Sequence, residues 1–378
     1  MTMKFTVNKA SLLKALVLTG KGISQKVVIP ILENYLFKIE NDTVTITGGS
    51  EGFFVSTAIE ITGGNFIKAI AIPSAKLLNI IKSLPDQPIG FQIKEKDENG
   101  EKRFSIKIKT ATGDYNMPAY DGDHYIQMPV SELVSFEAEL QPLLSSINKT
   151  LFACSNDTLR PALTGVHIKF SNKQALLVGC NGGMLSIASM PVEFESEQTF
   201  VVPPRVLSAL QEIATGEKVK ITFGDNYIHF ITDNGIDLKS LLIGENYVAY
   251  ESVIPASHNK TAIVNILELI GAIKRVSLFA ELGLDVIKMS FDGSKCTLSA
   301  RNDMGEHASE EVSVQFEGDP IAIGISGKQF TNCMSKFNNQ ELNILLTDPL
   351  RAIVMVEDPA SVSLKKDLIL VMPFKLSF

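Results

Sequence analysis

Cysteine is scarce in this 378-residue chain, and its four copies stand far apart with no CxxC pair. Disulfide frameworks and structural zinc sites need cysteines at matched spacings. The spacing therefore predicts that Cys154, Cys180, Cys296 and Cys333 are reduced thiols, buried as small hydrophobic side chains. The five histidines show no HExxH spacing or close pairing. We predict neither a metal nor a cofactor.

Long apolar runs are absent as well. No stretch approaches the ~20 apolar residues of a membrane span, and the N-terminal segment lacks the apolar core of a signal peptide. A cytoplasmic protein without membrane contact is expected. Basic residues are also in the minority, since 35 Lys and Arg against 42 Asp and Glu give a net charge of −7. This balance argues on its face against nucleic-acid binding, because phosphate contacts need clustered cations.

No set of catalytic residues stands out. The GKGIS segment from Gly20 lacks the spacing of a phosphate-binding loop, and the GCNGG segment from Gly179 lacks the GxGxxG order. The DGDH segment from Asp121 resembles a metal-binding loop, but an EF-hand needs further carboxylates at fixed spacing. A polar turn is the favoured interpretation there, and the chain is predicted not to be an enzyme.

The sequence does contain one pattern three times, and such a repeat decides every later assignment. A short strand followed by an amphipathic helix begins at Phe5, Phe136 and Ala262, at intervals of 131 and 126 residues. The apolar positions of these three helices coincide on one stripe. A second helix, each time preceded by a β-like run, recurs at nearly the same period. The second helices begin at Ser74, Pro203 and Gly327.

Local signals support the helices and the turns between strands. Asn8 and Asn265 stand where an N-cap belongs, with Glu268 in a capping-box position, and Pro142 falls in a first turn, where proline is tolerated. Alternating strand-like runs separate the helices, and polar pairs predict hairpin turns within them. These pairs are Asn41-Asp42, Ser171-Asn172 and Asp292-Gly293.

Each repeat thus has the order strand, helix, strands, helix, strands. This is an α+β unit of roughly 125 residues, within the usual size of a domain. We predict three tandem α+β domains, at residues 1–128, 129–255 and 256–378.

The charge divides unevenly between the helices and the rest of the chain. The six predicted helices carry eleven Lys and Arg against three acids, a net charge of plus 8, so the remainder carries minus 15. Surface helices usually mix both signs. An excess of this size in corresponding elements predicts one positive face on an otherwise acidic protein. Such a face suits a polyanion that is held loosely through its phosphates, without base specificity.

Several segments resemble one family, the bacterial DNA polymerase III beta subunits, or sliding clamps. The similarity runs from MKFTVNKASLLKAL to the terminal LILVMPFKL, and RPALTGV and VMPFKL are its most specific parts. The resemblance implies a closed ring, formed by a head-to-tail homodimer with three clamp domains per chain. It also implies a non-catalytic processivity factor that encircles double-stranded DNA and slides. Short linear peptides would tether the replicative polymerase, the clamp loader and repair polymerases to it.

The resemblance further implies two sets of site residues. The candidate DNA contacts are Lys26, Lys76, Arg160 and Arg205, to which the basic helices add Lys149, Lys274 and Lys328. The candidate peptide groove consists of apolar and small residues suited to anchoring Leu and Phe side chains. Its members are Leu163, Cys180, Gly182, Gly183, Met184, Leu185, Val248, Ser252, Val253, Gln329, Leu350, Ala352, Leu370, Met372, Pro373 and Phe374.

The chain departs from the family's pattern within this groove. Gly183-Met184 stands where many relatives have His-Arg, Ser252 stands at an arginine position, and Gln329 stands at a gating tyrosine position. Ser377-Phe378 extends beyond the usual end. The location of the pocket is expected to be kept, while its gating and peptide preference stay open.

Two other functions are compatible with parts of the sequence. A peptide-binding scaffold of three α+β repeats with no DNA role would predict no segregation of charge, contrary to the basic helices. A phosphotransferase would predict that the purified chain incorporates nucleotides unaided, which we do not expect.

Overall fold

The computed structural model describes residues 2–24, 26, 28–64, 66–98, 101–128, 134–281, 283, 285–363 and 366–376. Ser377 and Phe378 lie outside the described residues. The helices are α1 Lys9–Gly20, α2 Ser74–Ser83, α3 Leu140–Leu151, α4 Pro161–Thr164, α5 Pro204–Ile213, α6 Ile266–Ser277, α7 Gly327–Met334 and α8 Ala360–Ser363. Single 3₁₀ turns lie at Pro30–Glu33, Gly122–His124 and Tyr250–Val253.

The strands fall into three groups that follow the predicted repeats. The first group is β1 Thr2–Asn8, β2 Asn34–Glu40, β3 Thr43–Ser50, β4 Phe53–Glu60, β5 Lys68–Pro73, β6 Pro88–Glu98, β7 Glu101–Lys109 and β8 Asp114–Asp121. The second is β9 Val134–Glu139, β10 Val166–Ser171, β11 Gln174–Cys180, β12 Met184–Pro191, β13 Gln198–Val202, β14 Lys218–Phe223, β15 Tyr227–Thr232 and β16 Ile236–Leu241. The third is β17 Lys260–Asn265, β18 Val286–Asp292, β19 Lys295–Arg301, β20 His307–Ser313, β21 Gln315–Glu317, β22 Ile321–Ser326, β23 Glu341–Leu346, β24 Ile353–Val356 and β25 Leu368–Val371.

The predicted helices are confirmed, and so are their caps. The second helix of each repeat begins within one residue of its predicted start. The N–H groups of Ala10 and Ser11 donate to Asn8 Oδ1 at 2.9 and 3.2 Å, and the N–H of Glu268 donates to Asn265 Oδ1 at 3.1 Å. These side chains satisfy amide groups that have no partner within the helix.

One of the three predicted hairpin turns is placed correctly, and the other two lie one residue later. Asn41 and Asp42 have φ angles of 43° and 61°, as a tight two-residue hairpin requires. In the second repeat the residues with positive φ are Asn172 and Lys173. In the third, Asp292 pairs with Lys295, so the turn is formed by residues 293–294. Ser171 and Asp292 belong to the ladders, which extend one residue further than the polar pairs suggest.

The strands of every repeat pair in the same order. The first strand and the last three form one ladder, β1-β6-β7-β8, β9-β14-β15-β16 and β17-β23-β24-β25. The middle strands form a second ladder, β5-β2-β3-β4, β13-β10-β11-β12 and β22-β18-β19-β20. The predicted class, tandem α+β repeats, is confirmed.

The chain divides into two compact units, residues 1–141 with 205–242 and residues 142–204 with 243–378. In the first unit β16 pairs with β4, and Lys239 lies opposite Phe54. In the second unit β25 pairs with β12, and Leu370 lies opposite Leu185. Strand pairing therefore crosses both predicted domain boundaries, and the division into 1–128, 129–255 and 256–378 stays a proposal.

Each unit has its own apolar core. In the first, α1 buries Leu12 and Leu16, and Tyr35 fixes its end by donating to Leu16 O at 2.8 Å. In the second, α6 buries Leu269 and Ile273. The coincident apolar stripe predicted from the sequence is the stripe that faces these cores.

The cysteines are free, as predicted. Cys180, Cys296 and Cys333 are buried, while Cys154 is partly buried. Burial raises the pKa of Cys154, Cys296 and Cys333 to about 12 and also raises that of Cys180. The thiols are therefore protonated at neutral pH, which makes them poor nucleophiles.

The DGDH segment forms a 3₁₀ turn, which confirms the turn interpretation. Asp121 Oδ1 accepts the N–H of Asp123 at 3.1 Å, so this carboxylate caps the turn. Within the part of the chain described, His, Cys, Asp and Glu nowhere form a group of three that could hold a metal ion. No helix among those residues is long and apolar enough to cross a membrane.

Candidate functional site

Five of the predicted groove residues lie in one buried apolar cluster of the second unit, which we call the groove floor. The β12–β25–β24 ladder aligns Leu185, Leu370 and Val354 across three strands. Leu163, Cys180 and other buried side chains complete this cluster. The predicted groove members within it are Leu163, Cys180, Leu185, Ala352 and Leu370. The structure thus brings together residues separated by about two hundred positions in the sequence.

Other predicted groove residues are exposed large apolar side chains. They are between 41 and 60 % exposed, and they are Val248, Val253, Leu350, Met372 and Phe374. Single exposed apolar residues are ordinary on a protein surface, whereas several of them beside an apolar floor are typical of a docking site.

Backbone hydrogen bonds hold the C-terminal segment of the predicted groove. The N–H of Met372 donates to Gly183 O, and the N–H of Phe374 donates to Gly324 O, both at 2.9 Å. Gly324 allows this approach, because a Cβ there would lie 2.5 Å from Phe374 O. Both apolar side chains are therefore presented by a held segment, which lowers the entropy lost on binding.

The loop between β11 and β12 is shaped by Asn181 and two glycines. Asn181 Oδ1 accepts the N–H groups of Gly183 and Met184 at 3.0 and 2.9 Å. Gly182 has a φ of +91°, which a residue with a side chain rarely adopts. Its N–H donates to Cys180 Sγ at 3.4 Å. The loop consequently has no side chain at residue 182 to fill the space beside Gly183.

Met184 and Gln329 differ from the other predicted groove residues. Met184 is buried in the neighbouring core cluster, where its Sδ atom lies 3.3 Å from Cys333 Sγ. It faces that core because it begins β12, where side chains alternate between the two faces of the sheet. Gln329 is half-buried in the first turn of α7, and its N–H donates to Ser326 Oγ at 3.2 Å.

A platform of stacked rings, which the sequence analysis missed, supports the segment that carries Val248, Ser252 and Val253. The rings of His167 and Tyr247 stack with centroids 4.7 Å apart and planes at 8°. Tyr247 also donates to Val178 O at 3.3 Å. Burial lowers the pKa of His167 to about 4, so the ring is neutral at physiological pH. The two tyrosines of the NYVAYESV segment were the sequence signal from which this platform could have been predicted.

The candidate DNA contacts differ in how free their charges are. In the first unit Lys26 and Lys76 are exposed. Arg205 instead donates from Nη1 to Ser50 Oγ at 2.8 Å and from Nη2 to Gly22 O at 2.9 Å. Burial lowers the pKa of its guanidinium. Arg205 therefore links α5 to the end of α1, and fewer of its donors remain for a phosphate.

In the second unit most of the candidate cations are accessible. Arg160, Lys274 and Lys328 are exposed and Lys149 is half-buried. Arg160 Nη1 lies 3.8 Å from where a Cβ on Gly182 would stand. This predicted DNA contact is therefore next to the groove loop.

Some of the excess helix charge is compensated locally. Lys21 forms an ion pair with Glu212, and Arg275 forms one with Glu310. Exposed pairs of this kind are screened and contribute little stability. They also reduce the charge that is free to meet a polyanion.

Three family models together match most of the chain. The model of the N-terminal domain of the DNA polymerase III beta subunit matches residues 3–125. The models of its central and C-terminal domains match residues 138–247 and 251–373. Each model falls on one of the three repeats.

Curated relatives and solved structures agree with the family models. The beta sliding clamps of Pseudomonas putida and Bacillus subtilis are 24 % and 25 % identical to this chain over 363 and 368 residues. These matches cover 94 % and 93 % of this chain, and 96 % and 95 % of the relatives. A crystal structure of the DNA polymerase sliding clamp from Bacillus subtilis matches with a TM-score of 0.91 at 23 % identity, over 100 % of both chains. A griselimycin-bound sliding clamp from Pseudomonas aeruginosa matches with a TM-score of 0.90 at 20 % identity, also over 100 % of both chains.

Proposed function

Because the chain belongs to the family of bacterial DNA polymerase III beta subunits, the sliding clamps, we propose that it closes around duplex DNA as a head-to-tail homodimer. As a member of this family it is a processivity factor of the replicative DNA polymerase and has no catalytic activity of its own. A peptide-binding scaffold without a DNA role is not favoured. We further propose that it works in the cytoplasm and slides on DNA without sequence preference.

The ring proposal is supported by the way in which strands of neighbouring repeats pair, which we call the pairing rule. The last strand of repeat two pairs with the fourth strand of repeat one, as β16 with β4. The last strand of repeat three pairs in the same way with repeat two, as β25 with β12. Among the described residues, two strands lack the partner that this rule gives: β8, the last strand of repeat one, and β20, the fourth strand of repeat three. β20 pairs only with β19, and β8 touches β5 only at its end. Exposed strand edges invite pairing with another chain.

The rule also supplies a register for a junction between two copies. When the repeats are aligned through their strand pairs, Asn116 of β8 corresponds to Lys239 of β16 and Leu370 of β25. His307 of β20 corresponds to Phe54 of β4 and Leu185 of β12. Asn116 of one copy should then face His307 of the second. Because this contact joins two different surfaces, a dimer makes it twice and closes a ring.

Exposed apolar residues at the end of α6 support the same junction. In the first unit Arg205, near the start of α5, reaches the carbonyls of Lys21 and Gly22 at the end of α1. The corresponding residues in the third repeat are Leu278 and Phe279. They are 81 % and 39 % exposed. In the proposed dimer they meet the start of α2 of the second copy, which would remove them from water.

We propose that Lys26, Lys76, Arg160, Lys149, Lys274 and Lys328 contact the DNA backbone, with Arg205 mainly shaping the surface near them. Such contacts act on phosphates, which carry no sequence information directly. The proposed partners of the groove are short peptides with apolar anchors from the replicative polymerase, the clamp loader and repair polymerases. The exposed side chains of Met372 and Phe374 beside the buried floor support this assignment.

The ring proposal is tested by a disulfide across the proposed junction. Opposed residues of an antiparallel pair have Cα atoms about 4.5–5.5 Å apart, within the range that a disulfide spans. An Asn116→Cys/His307→Cys variant, oxidised in dilute solution, should therefore give covalent dimers with two bridges and no higher multimers. Denaturing electrophoresis and intact mass spectrometry measure both.

The matched control shifts one cysteine along β8. In Tyr120→Cys/His307→Cys the two positions are displaced by four residues, about 13 Å along the strand, and no covalent dimer should form. Equal cross-linking of both variants, or none of either, would contradict the register. A ladder of growing multimers would show an open chain of subunits instead of a ring.

A further inference from the structure

A cavity of about 630 Å³ opens in the first unit beside the free edge of β8. Pro118 and Tyr120 of β8, Ala75 and Lys76 of α2, and Ile31 contribute to its lining. Tyr120 is half exposed. The cavity is mostly apolar, with Glu33 and Lys76 among its lining residues, and its apolar part suits an unbranched apolar side chain.

The loop between β19 and β20 presents an apolar side chain to solvent. Met304 is 86 % exposed at the tip of this loop. Its N–H and that of Glu306 donate to Asn302 Oδ1 at 3.1 and 3.0 Å, and the N–H of Asp303 donates to Glu281 Oε2 at 2.9 Å. Hydrogen bonds within the loop and one to Glu281 therefore hold its backbone. Holding the backbone lowers the entropy lost when the loop docks, and the unbranched methionine side chain can adapt to an irregular cavity.

The pairing rule brings this loop to the cavity of a second copy. At the junction within the first unit, the N–H of Leu241 donates to Gly52 O at 2.8 Å. At the junction within the second unit, the N–H of Met372 donates to Gly183 O at 2.9 Å. The corresponding residues at the junction between copies are Pro118 and Gly305. Met304, the neighbour of Gly305, then falls at the mouth of the cavity that Pro118 lines.

The sequence at the proposed junction between copies differs in two ways from that at the two junctions within the chain. Proline has no N–H, so Pro118 cannot donate the backbone bond that the other two junctions have. Where the groove loop has the single residue Gly182 between Asn181 and Gly183, this loop has Asp303 and Met304 between Asn302 and Gly305. The junction between copies thus lacks one hydrogen bond and gains one large side chain.

We propose that Met304 of each copy inserts into the cavity of the next copy and anchors the ring junction. It occupies the counterpart of the groove that Gly182 leaves open in the second unit. The proposal rests on the head-to-tail dimer and adds the residue that fastens it. In this proposal the β11–β12 loop leaves its groove open for peptides, whereas the β19–β20 loop fills the corresponding cavity with Met304.

The test is the dimer dissociation constant of the full chain, measured by sedimentation velocity over a dilution series. Met304→Ala should raise this constant roughly 100-fold, because the dimer makes the contact twice and each apolar side chain that is lost accounts for about tenfold. Leu159→Ala is the matched control, because Leu159 is equally exposed but lies in the second repeat, away from β8 and β20. It should leave the constant unchanged.

A second variant approaches the contact from the cavity. Ile31→Trp, at a cavity residue outside α2, should fill the cavity and weaken the dimer in the wild-type background. It should add little to Met304→Ala, since the same contact is already lost. A dimer that forms with unchanged affinity in Met304→Ala overturns the anchor and leaves the ring intact. A wild-type chain that stays monomeric at all concentrations overturns both.

Discussion

A Gly179→Val variant is expected to lose at least about 3 kcal/mol of local stability, because the added side chain meets backbone. A Cβ at residue 179 would stand 2.1 Å from Thr150 O and 3.3 Å from the Cβ of Ala153, near the end of α3. Neither a carbonyl in a helix nor a core alanine can move aside cheaply in a close-packed interior. The helix would be displaced from the sheet next to the groove floor.

Hydrogen–deuterium exchange of the α3 and β11 amides measures the local opening free energy directly. Gly244→Ala is the control, since a Cβ there meets no atom within 4 Å, and it should stay within about 0.5 kcal/mol of the wild type. If Gly179→Val exchanges no faster than Gly244→Ala, helix and sheet are further apart than the structure has them.

The second large effect is expected at the groove. Met372→Ala combined with Phe374→Ala should weaken a fluorescent peptide from the C-terminal tail of the replicative polymerase by about 100-fold, or ~2.7 kcal/mol. Full burial of one such side chain contributes ~1.5–3 kcal/mol. Both are already more than half buried in the free chain, at 41 and 43 % exposure, so only part of that amount is gained on binding.

Fluorescence anisotropy gives the peptide dissociation constant. Leu267→Ala is a suitable control, because Leu267 is exposed on α6 and belongs to neither the groove floor nor its rim. It should bind the peptide like the wild type. Equal affinity of the double variant and Leu267→Ala would show that the peptide docks elsewhere.

Local patterns were sufficient to predict the six longer helices, but not the single-turn helices α4 and α8. The stripe containing Leu12 and Leu16, and the N-caps Asn8 and Asn265, depend on neighbours within one or two helical turns. The exact positions of the hairpin turns were harder to predict, because a turn shifted by one residue has nearly the same polar composition. Ser171 and Asp292 were placed in turns although both belong to ladders.

Pairing between distant strands could not be predicted from local pattern. Leu185 and Leu370 are opposed in neighbouring strands although 185 positions separate them, and no periodicity in either segment encodes that choice. The groove floor depends on this pairing, so its residues came from the resemblance to a family. The same limit applies to Met184, which the resemblance placed in the groove and the structure places against Cys333.

The charge pattern predicted a positive surface but could not predict which basic residue makes which contact. Arg205 was counted with the DNA contacts because of the resemblance to a family. Its hydrogen bonds to Ser50 and Gly22 depend on the fold of the first unit. Such a role can be found only from coordinates, since arginine serves equally well in a phosphate contact and in a link between carbonyls.

A closed ring with DNA inside it is held by topology, so cutting the DNA should release it. Reduced Asn116→Cys/His307→Cys protein is assembled on circular duplex DNA, oxidised to lock the junctions, and washed at high salt, which removes contacts made only to phosphates. Locked rings should remain on the circles and should be released when a restriction enzyme linearises the DNA. Equal retention before and after linearisation, or no retention on circles, would contradict the ring proposal.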